Sequence, residues 1–143
     1  MIYTELTKKA LLICYEAHAN QLDKGGVPYA FHAIHVAEQM NNEYDVCLAL
    51  LHDVLEDTSY EMEYIISMGF PSEITEALKC ITKVPDQDYM DYIKIVKTND
   101  MATRVKLADL EHNSDMSRLK VITEADKLRL KKYELAKKEL MSK

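Results

Sequence analysis

Tryptophan is absent from this sequence, and glycine, proline and cysteine each occur only three times. So few turn-forming residues disfavour a sheet with many hairpins, whereas abundant Leu, Ala, Lys, Glu and Met favour helices joined by short loops. A chain of 143 residues is long enough to bury one substantial core. We therefore expect an all-α protein, a single-domain helical bundle that covers residues 1–143.

The three cysteines, Cys14, Cys47 and Cys80, are widely spaced and lie among apolar residues. Their odd number and spacing are typical of buried free thiols in a reducing compartment. The N-terminus lacks the layout of a signal peptide, and no run approaches the roughly 18 apolar residues of a membrane span. These features predict a cytoplasmic protein without a membrane partner.

Charge is distributed unevenly along the chain. The net charge of −6 disfavours binding of nucleic acid by the whole surface. Residues 118–143, however, hold nine Lys or Arg against four Asp or Glu, which leaves −11 on the first 117 residues. The basic segment is either a solvated helix face or a surface that attracts an anionic ligand or another subunit's acidic face. A homo-oligomer is compatible with this pattern, because any helix face can form an interface.

Apolar periodicity predicts a series of helices separated by short breaks. The Gly pair and Val-Pro in QLDKGGVPY should form an exposed loop, and so should the PDQD segment. Asp45 is a plausible N-cap for the third helix, and T-E-A-D is a capping-box pattern for the last. The expected helices cover 4–20, 30–42, a third from Asp45 through 49–58, 60–68, 72–82, 88–98, 99–113 and a last one from Thr123.

Polar residues interrupt an apolar helix in the stretch ALLHDVLEDT, residues 49–58. Burying an imidazole and carboxylates costs free energy unless something compensates them. A divalent cation would do so, and both His52 and Asp53 can act as its ligands. The pair alone is weak evidence, because a histidine in an apolar helix is more often hydrogen-bonded within the core.

Two further residues strengthen the case for a metal. His32 begins the second helix, and Asp109 is another carboxylate set into an apolar helical run. Together with His52 and Asp53 they form an H…HD…D series, which resembles the metal-dependent phosphohydrolases of the HD superfamily. Three segments, HANQLDKGGVPYAFHAIHVAEQM, ALLHDVLEDT and RVKLADLEHN, look like the HxGQ-(K/R)xGxPYxxHPxxVA, LLHDxxEDT and xKxADxxHN motifs of its alarmone-hydrolase branch, the RelA/SpoT-type domains and their small stand-alone relatives.

This resemblance implies an HD-type fold and a set of functional residues. His32, His52, Asp53 and Asp109 match the metal ligands of the family, for which Mn²⁺ is the usual ion; Fe, Zn or Co also suit such ligands. Glu56 and Asp57 match its ED pair, which positions or activates the attacking water. The substrate residues that it implies are Lys24, Tyr29 and Asn113 in the nucleotide pocket, with Arg104 and Lys106 where phosphate contacts can form.

Helical spacing supports part of this assignment independently. Glu56 follows His52 by four residues and Asn113 follows Asp109 by four, so each should project toward the side of a ligand. A carboxylate at Glu56 could then accept a proton as a general base. The alternative for Glu56 and Asp57 is a solvated helix end, with Asp57-Thr58-Ser59 capping the next helix.

The other histidines are expected to be structural. His18 stands in the HxGQ position and is expected to support or pack against the ligands. His35 follows His32 by three residues, but the family register puts the ligand at His32. His112 precedes Asn113 and can at best contact a ligand.

The sequence departs from the family pattern at several positions. Ala33 replaces the usual Pro after the first ligand histidine, and Asn20 replaces the Gly before Gln21. Lys24 and Gly25 stand where many longer family members have Arg-Ser or Lys-Ala, which leaves recognition of the base and phosphates open.

Three functions fit the sequence. The first is hydrolysis of guanosine 3′,5′-bis(diphosphate) with release of pyrophosphate. The second is hydrolysis of another nucleotide phosphate ester, such as a nucleoside monophosphate or a phosphorylated nicotinamide dinucleotide. The third is a non-catalytic nucleotide or metal sensor, which the intact Glu56-Asp57 pair disfavours.

Overall fold

The structure is entirely helical, in agreement with the expected class. The computed structural model describes residues 1–143, which contain a single isolated β-bridge, between Leu22 and Pro28, and no strand. None of its helices combines the length and apolar character that crossing a membrane requires. The helices are α1 Glu5–Ala17, α2 Ala30–Glu38, α3 Glu43–Leu51, α4 Val54–Asp57, α5 Met62–Ser67, α6 Ser72–Ile81, α7 Tyr89–Lys97, α8 Asp100–Asn113 and α9 Glu124–Met141.

Helix α3 forms the centre of the bundle. Every residue from Val46 to Leu51 is fully buried, which explains why this helix has no polar face in the sequence. It packs against α1, α2, α6 and α8, while α9 packs against α7 and α8. The buried centre therefore carries the HD dipeptide at its C-terminal end, close to α2 and α8.

Two of the expected helix starts can be compared directly with the structure. The T-E-A-D capping box is confirmed, because Thr123 and Asp126 each accept from the other's backbone N–H. The assignment of Asp45 as the N-cap of α3 is wrong. Asn42 caps this helix by accepting from the N–H of Asp45, whose own carboxylate is buried in an ion pair with Arg104.

Asp23 holds the loop between α1 and α2 in place. Asp23 accepts from the backbone N–H groups of Gly25 and Val27 through Oδ1, and its Oδ2 pairs with Arg118 Nη1 at 2.6 Å. Gly26 has a φ of +82°, which favours glycine. At Gly25 a Cβ atom would lie 2.8 Å from the backbone oxygen of Arg118, so only glycine fits this close approach.

Candidate active site

The predicted third helix is broken at the HD dipeptide. Helix α3 ends at Leu51, His52 is its C-cap, and Asp53 is the N-cap of the one-turn helix α4. A continuous helix would point adjacent side chains about 100° apart. The break instead brings His52 Nε2 within 3.0 Å of Asp53 Oδ2. The two neighbours can therefore face one point.

The four predicted ligands converge. One donor atom from each of His32, His52, Asp53 and Asp109 lies within 4.8 Å of the others. His32 Nε2 is 2.7 Å from Asp109 Oδ1 and 3.7 Å from Asp53 Oδ2, and His52 Nε2 is 3.2 Å from Asp109 Oδ1. A cation with ligands at about 2.0 to 2.2 Å separates its donor atoms by roughly 3 to 4.4 Å. This His/Asp group therefore has the composition and nearly the spacing of a divalent metal site.

Both imidazoles are oriented by contacts on their outer nitrogen. His52 Nδ1 donates to the carbonyl oxygen of Ala49 at 2.5 Å, so Nε2 is left to face the carboxylates. His32 Nδ1 lies 2.7 Å from Nδ1 of His112, whose ring stacks on His35 at 4.2 Å between centroids. Such outer contacts fix the tautomer and ring direction of a metal ligand. His35 and His112 thus lie next to the cluster, on the far side of His32.

The cluster is buried and strongly polarised. Burial opposes ionisation of Asp109, but Lys106 Nζ at 2.8 Å and the neighbouring imidazoles hold its pKa well below the usual range. Burial likewise opposes ionisation of Asp53, but His52 lowers its pKa to about 2. The same two carboxylates raise the pKa of His52 although burial acts against its charge. The site therefore keeps two ionised carboxylates that attract positive charge.

Glu56 and Asp57 lie in a more exposed position, in a cavity of about 530 Å³ that also contains Asp53 and Asp109. Glu56 Oε1 accepts from the backbone N–H of Lys83 at 3.0 Å. Partial burial in the cavity raises the pKa of Glu56. Partial burial, together with the nearby charges of Asp53 and Glu56, raises the pKa of Asp57 to about 6. Both are carboxylates that take up a proton more readily than usual.

Three of the predicted substrate residues contact the ligand carboxylates directly. Tyr29 Oη donates to Asp53 Oδ2 at 2.6 Å, and Asn113 Nδ2 donates to Asp109 Oδ1 at 3.0 Å. Lys106 Nζ donates to the other oxygen of Asp109. Burial, followed by the charge of Asp53, raises the pKa of Tyr29, which keeps its hydroxyl protonated. These side chains orient the carboxylates and line the space beside them.

Lys24 lies in a second cavity, of about 310 Å³, which shares Tyr29, Asn113 and Tyr133 with the first. The apolar part of its lining comes from residues such as Leu22, Met116 and Leu119. The two cavities are therefore adjacent, with these three side chains in the wall of both.

Arg104 is not brought to this site, contrary to the sequence-based expectation. Its guanidinium binds both oxygens of the buried Asp45, at 2.6 and 3.0 Å. It lines a separate surface depression with Glu73, Glu76 and Asp100. The guanidinium of Arg104 is therefore occupied by Asp45 and does not line either cavity beside the His/Asp cluster.

Sequence reasoning missed several residues that line the two cavities. The basic C-terminal segment was the available signal, since α9 contributes side chains to both of them. The relevant residues are Lys83, Gln87, Tyr89, Arg118, Arg129, Lys132 and Tyr133.

Fold and site together define an all-α domain with a buried His/Asp centre able to hold a divalent metal. Comparison with known proteins shows which family of such domains it is similar to. No family model matches the chain. It is 31% identical over 121 residues, 74% of its length, to the bifunctional (p)ppGpp synthase/hydrolase SpoT of Escherichia coli. It is 38% identical over 82 residues, 54% of its length, to a guanosine-3′,5′-bis(diphosphate) 3′-pyrophosphohydrolase of Borreliella burgdorferi. The chain spans 17% and 12% of these two relatives.

The fold has a solved counterpart. A metazoan ortholog of SpoT, described as hydrolysing ppGpp, superposes with a TM-score of 0.77 at 20% identity, over 98% of this chain and 87% of the other. The expected all-α fold of the HD type is therefore confirmed. The resemblance to RelA/SpoT-type proteins is confirmed as well, since the homologues of this chain are SpoT/RelA proteins.

Proposed function

We propose that residues 1–143 form one HD-type domain that hydrolyses guanosine 3′,5′-bis(diphosphate) and releases pyrophosphate. The observation that carries this proposal is the convergence of His32, His52, Asp53 and Asp109 within 4.8 Å, in a chain whose relatives bear that activity in their names. The three unpaired cysteines support a cytoplasmic setting for the reaction.

A divalent cation, which we propose to be Mn²⁺, would be held by these four side chains. When bound, it would supply Lewis-acid stabilisation of phosphate charge and lower the pKa of water. The donor set fits such a cation. It offers two imidazole nitrogens, each on a ring held by a contact of its other nitrogen, and two carboxylates that stay ionised despite their burial. Lys106 remains beside Asp109 and limits the negative charge of the group.

Glu56 and Asp57 are the proposed proton acceptors. In the reaction the oxygen of water bonds to the phosphorus attached to O3′, and the bond between that phosphorus and O3′ breaks. The water passes one proton to the Glu56-Asp57 pair, and O3′, which leaves with the electrons of the broken bond, takes a proton back from this pair to become a hydroxyl. A pKa near 6 suits Asp57 to this exchange, because a base poised near neutral pH both accepts and releases protons.

Lys24, Tyr29 and Asn113 are proposed to bind the nucleotide. They line the two adjacent cavities next to the metal ligands, and the apolar wall of the cavity that contains Lys24 offers a surface for a base. Because Tyr29 Oη is already bonded to Asp53, its ring rather than its hydroxyl is the part free to contact a base.

Turnover tests the proposal. Purified protein supplied with Mn²⁺ should release pyrophosphate, and not orthophosphate, from guanosine 3′,5′-bis(diphosphate). Asp53→Ala should abolish this release. Orthophosphate release from a nucleoside monophosphate or a phosphorylated nicotinamide dinucleotide would instead favour the second function. Tight binding of metal and nucleotide, without turnover of any of these nucleotides, would favour a non-catalytic nucleotide or metal sensor.

A further inference from the structure

Lys132 on α9 lies at the candidate active site although it belongs to none of the three sequence motifs. Its side chain lines the cavity that contains Asp53, Asp109 and Glu56. Its Nζ lies 4.5 Å from the ring centroid of Tyr89 and 5.7 Å from that of Tyr133. An ammonium within about 6 Å of an aromatic centroid is attracted to the ring face. The two tyrosines thus hold this charge at the wall of the cavity.

The charge of Lys132 has no anionic partner in the protein. Three neighbouring cations do: Lys106 pairs with Asp109, Arg118 with Asp23, and Arg129 with Asp126. Of the other two nearby lysines, Lys83 lines the same cavity and Lys24 lines the cavity with the apolar wall. Lys132 is exposed, but partial desolvation at the cavity wall lowers its pKa, and the nearby cations Lys106, Arg129, Lys83 and Lys24 lower it further. A lysine surrounded by positive groups and lacking a carboxylate is an attractive position for an external anion.

The position of Lys132 indicates which anion this is. The cavity of Lys24 has the apolar wall, so a nucleoside fits there, on one side of Tyr29, Asn113 and Tyr133. The cavity of Lys132 shares these residues and has a mostly polar lining. If the scissile phosphate lies at the His/Asp cluster, the next phosphate lies in the polar cavity that Lys132 lines together with Asp53 and Asp109.

We propose that Lys132 binds the terminal phosphate of the departing pyrophosphoryl group and so favours a pyrophosphorylated over a monophosphorylated substrate. This rests on the proposed function. Lys132 donates hydrogen bonds to phosphate oxygens and keeps its proton throughout; it takes no part in bond breaking. It is a specificity residue supplied by the basic C-terminal helix.

Binding of the product tests this inference separately from catalysis. Isothermal titration calorimetry would compare inorganic pyrophosphate with orthophosphate, using protein with Mn²⁺ at equal concentration in cell and syringe. Lys132→Gln should weaken pyrophosphate binding about tenfold, the loss expected for a charge-assisted contact, and orthophosphate binding less than about twofold. Lys132→Arg should restore most of the affinity. Lys131→Gln is the matched control, since it removes the same charge from the adjacent position of α9, which lines neither of the two cavities.

Two results would overturn the inference. One is a Lys132→Gln variant that binds pyrophosphate as tightly as Lys131→Gln does. The other is a wild-type protein that binds pyrophosphate no more tightly than orthophosphate. Failure of the proposed function is distinguishable, because it is measured as absent turnover of the nucleotide by wild-type protein, whereas the binding comparison needs no turnover. In an active enzyme, Lys132→Gln should lower kcat/KM for guanosine 3′,5′-bis(diphosphate) but not for the analogue with a 3′-monophosphate.

Discussion

Lys106 and Asp109 stand three residues apart on α8, and Lys106 Nζ lies 2.8 Å from Asp109 Oδ2. The other oxygen, Oδ1, faces His32 and His52. One carboxylate thus joins a nearly buried ammonium to the His/Asp cluster. Removing the lysine would leave Asp109 less well compensated in a buried position, and this has a measurable consequence for stability.

We predict that Lys106→Met destabilises the metal-free protein by about 3 kcal/mol, because breaking a buried ion pair leaves one charge without its partner. Mn²⁺ should restore more stability to this variant than to the wild type, since the cation replaces the missing positive charge. Urea unfolding with and without the metal measures both effects. Lys94→Met, at an exposed position of α7, is the control and should cost less than about 0.5 kcal/mol. Equal losses in the two variants would refute the role assigned to Lys106.

A second prediction concerns metal binding itself. At a free metal concentration 100 times the dissociation constant, wild-type protein should gain about 2.7 kcal/mol of unfolding free energy. Asp53→Ala should gain none at that concentration and should contain little metal by elemental analysis. Asp86→Ala removes an exposed loop carboxylate and should behave as wild type. Equal metal contents in Asp53→Ala and Asp86→Ala would mean that the cluster is not the metal site.

The helices could be predicted from the local apolar pattern, and the four clustered residues from the resemblance of their motifs to those of the HD superfamily. It could not predict the break at His52-Asp53, since the surrounding apolar residues continue the helical period on both sides. Arg104 illustrates a second limit. Its spacing from Asp109 says nothing about Asp45, 59 positions earlier in the chain, which captures its guanidinium. Lys132 could not be assigned for the same reason, because only the packing of α9 on α7 brings it to the cavity.

The pKa of Asp57 gives a prediction about pH. Partial burial, with Asp53 and Glu56 nearby, raises this pKa to about 6, whereas an unfolded chain titrates Asp near 3.9. The folded protein therefore holds the proton more tightly. The resulting stabilisation is fully present below about pH 4 and is lost as the pH rises through about 6.

Asp57→Asn should remove this pH-dependent loss of unfolding free energy in the metal-free protein. Relative to the variant, wild-type protein should become less stable between about pH 4 and pH 7, and the difference should then stay constant. Urea unfolding across that range measures it. Asp86→Asn should run parallel to wild type. A difference between wild type and Asp57→Asn that does not change with pH would show that Asp57 titrates at its ordinary pKa.

Gly25 gives a prediction about the nucleotide cavity. A Cβ atom at this position would lie 2.8 Å from the backbone oxygen of Arg118 and 3.1 Å from its Cβ. Gly25→Ala should therefore push the loop away from residues 115–119, weaken the ion pair of Asp23 with Arg118, and move Lys24. We expect a loss of about 1 to 3 kcal/mol in unfolding free energy. KM for the nucleotide should rise while metal binding stays unchanged, because the four ligands lie outside the loop.

Gly69→Ala is the control. Its φ of +87° means that an alanine there strains the backbone, but the nearest atom, Lys9 Nζ, is 3.7 Å away and Gly69 lines neither cavity. A variant of Gly25 that loses stability but binds nucleotide like Gly69→Ala would separate this loop from substrate binding.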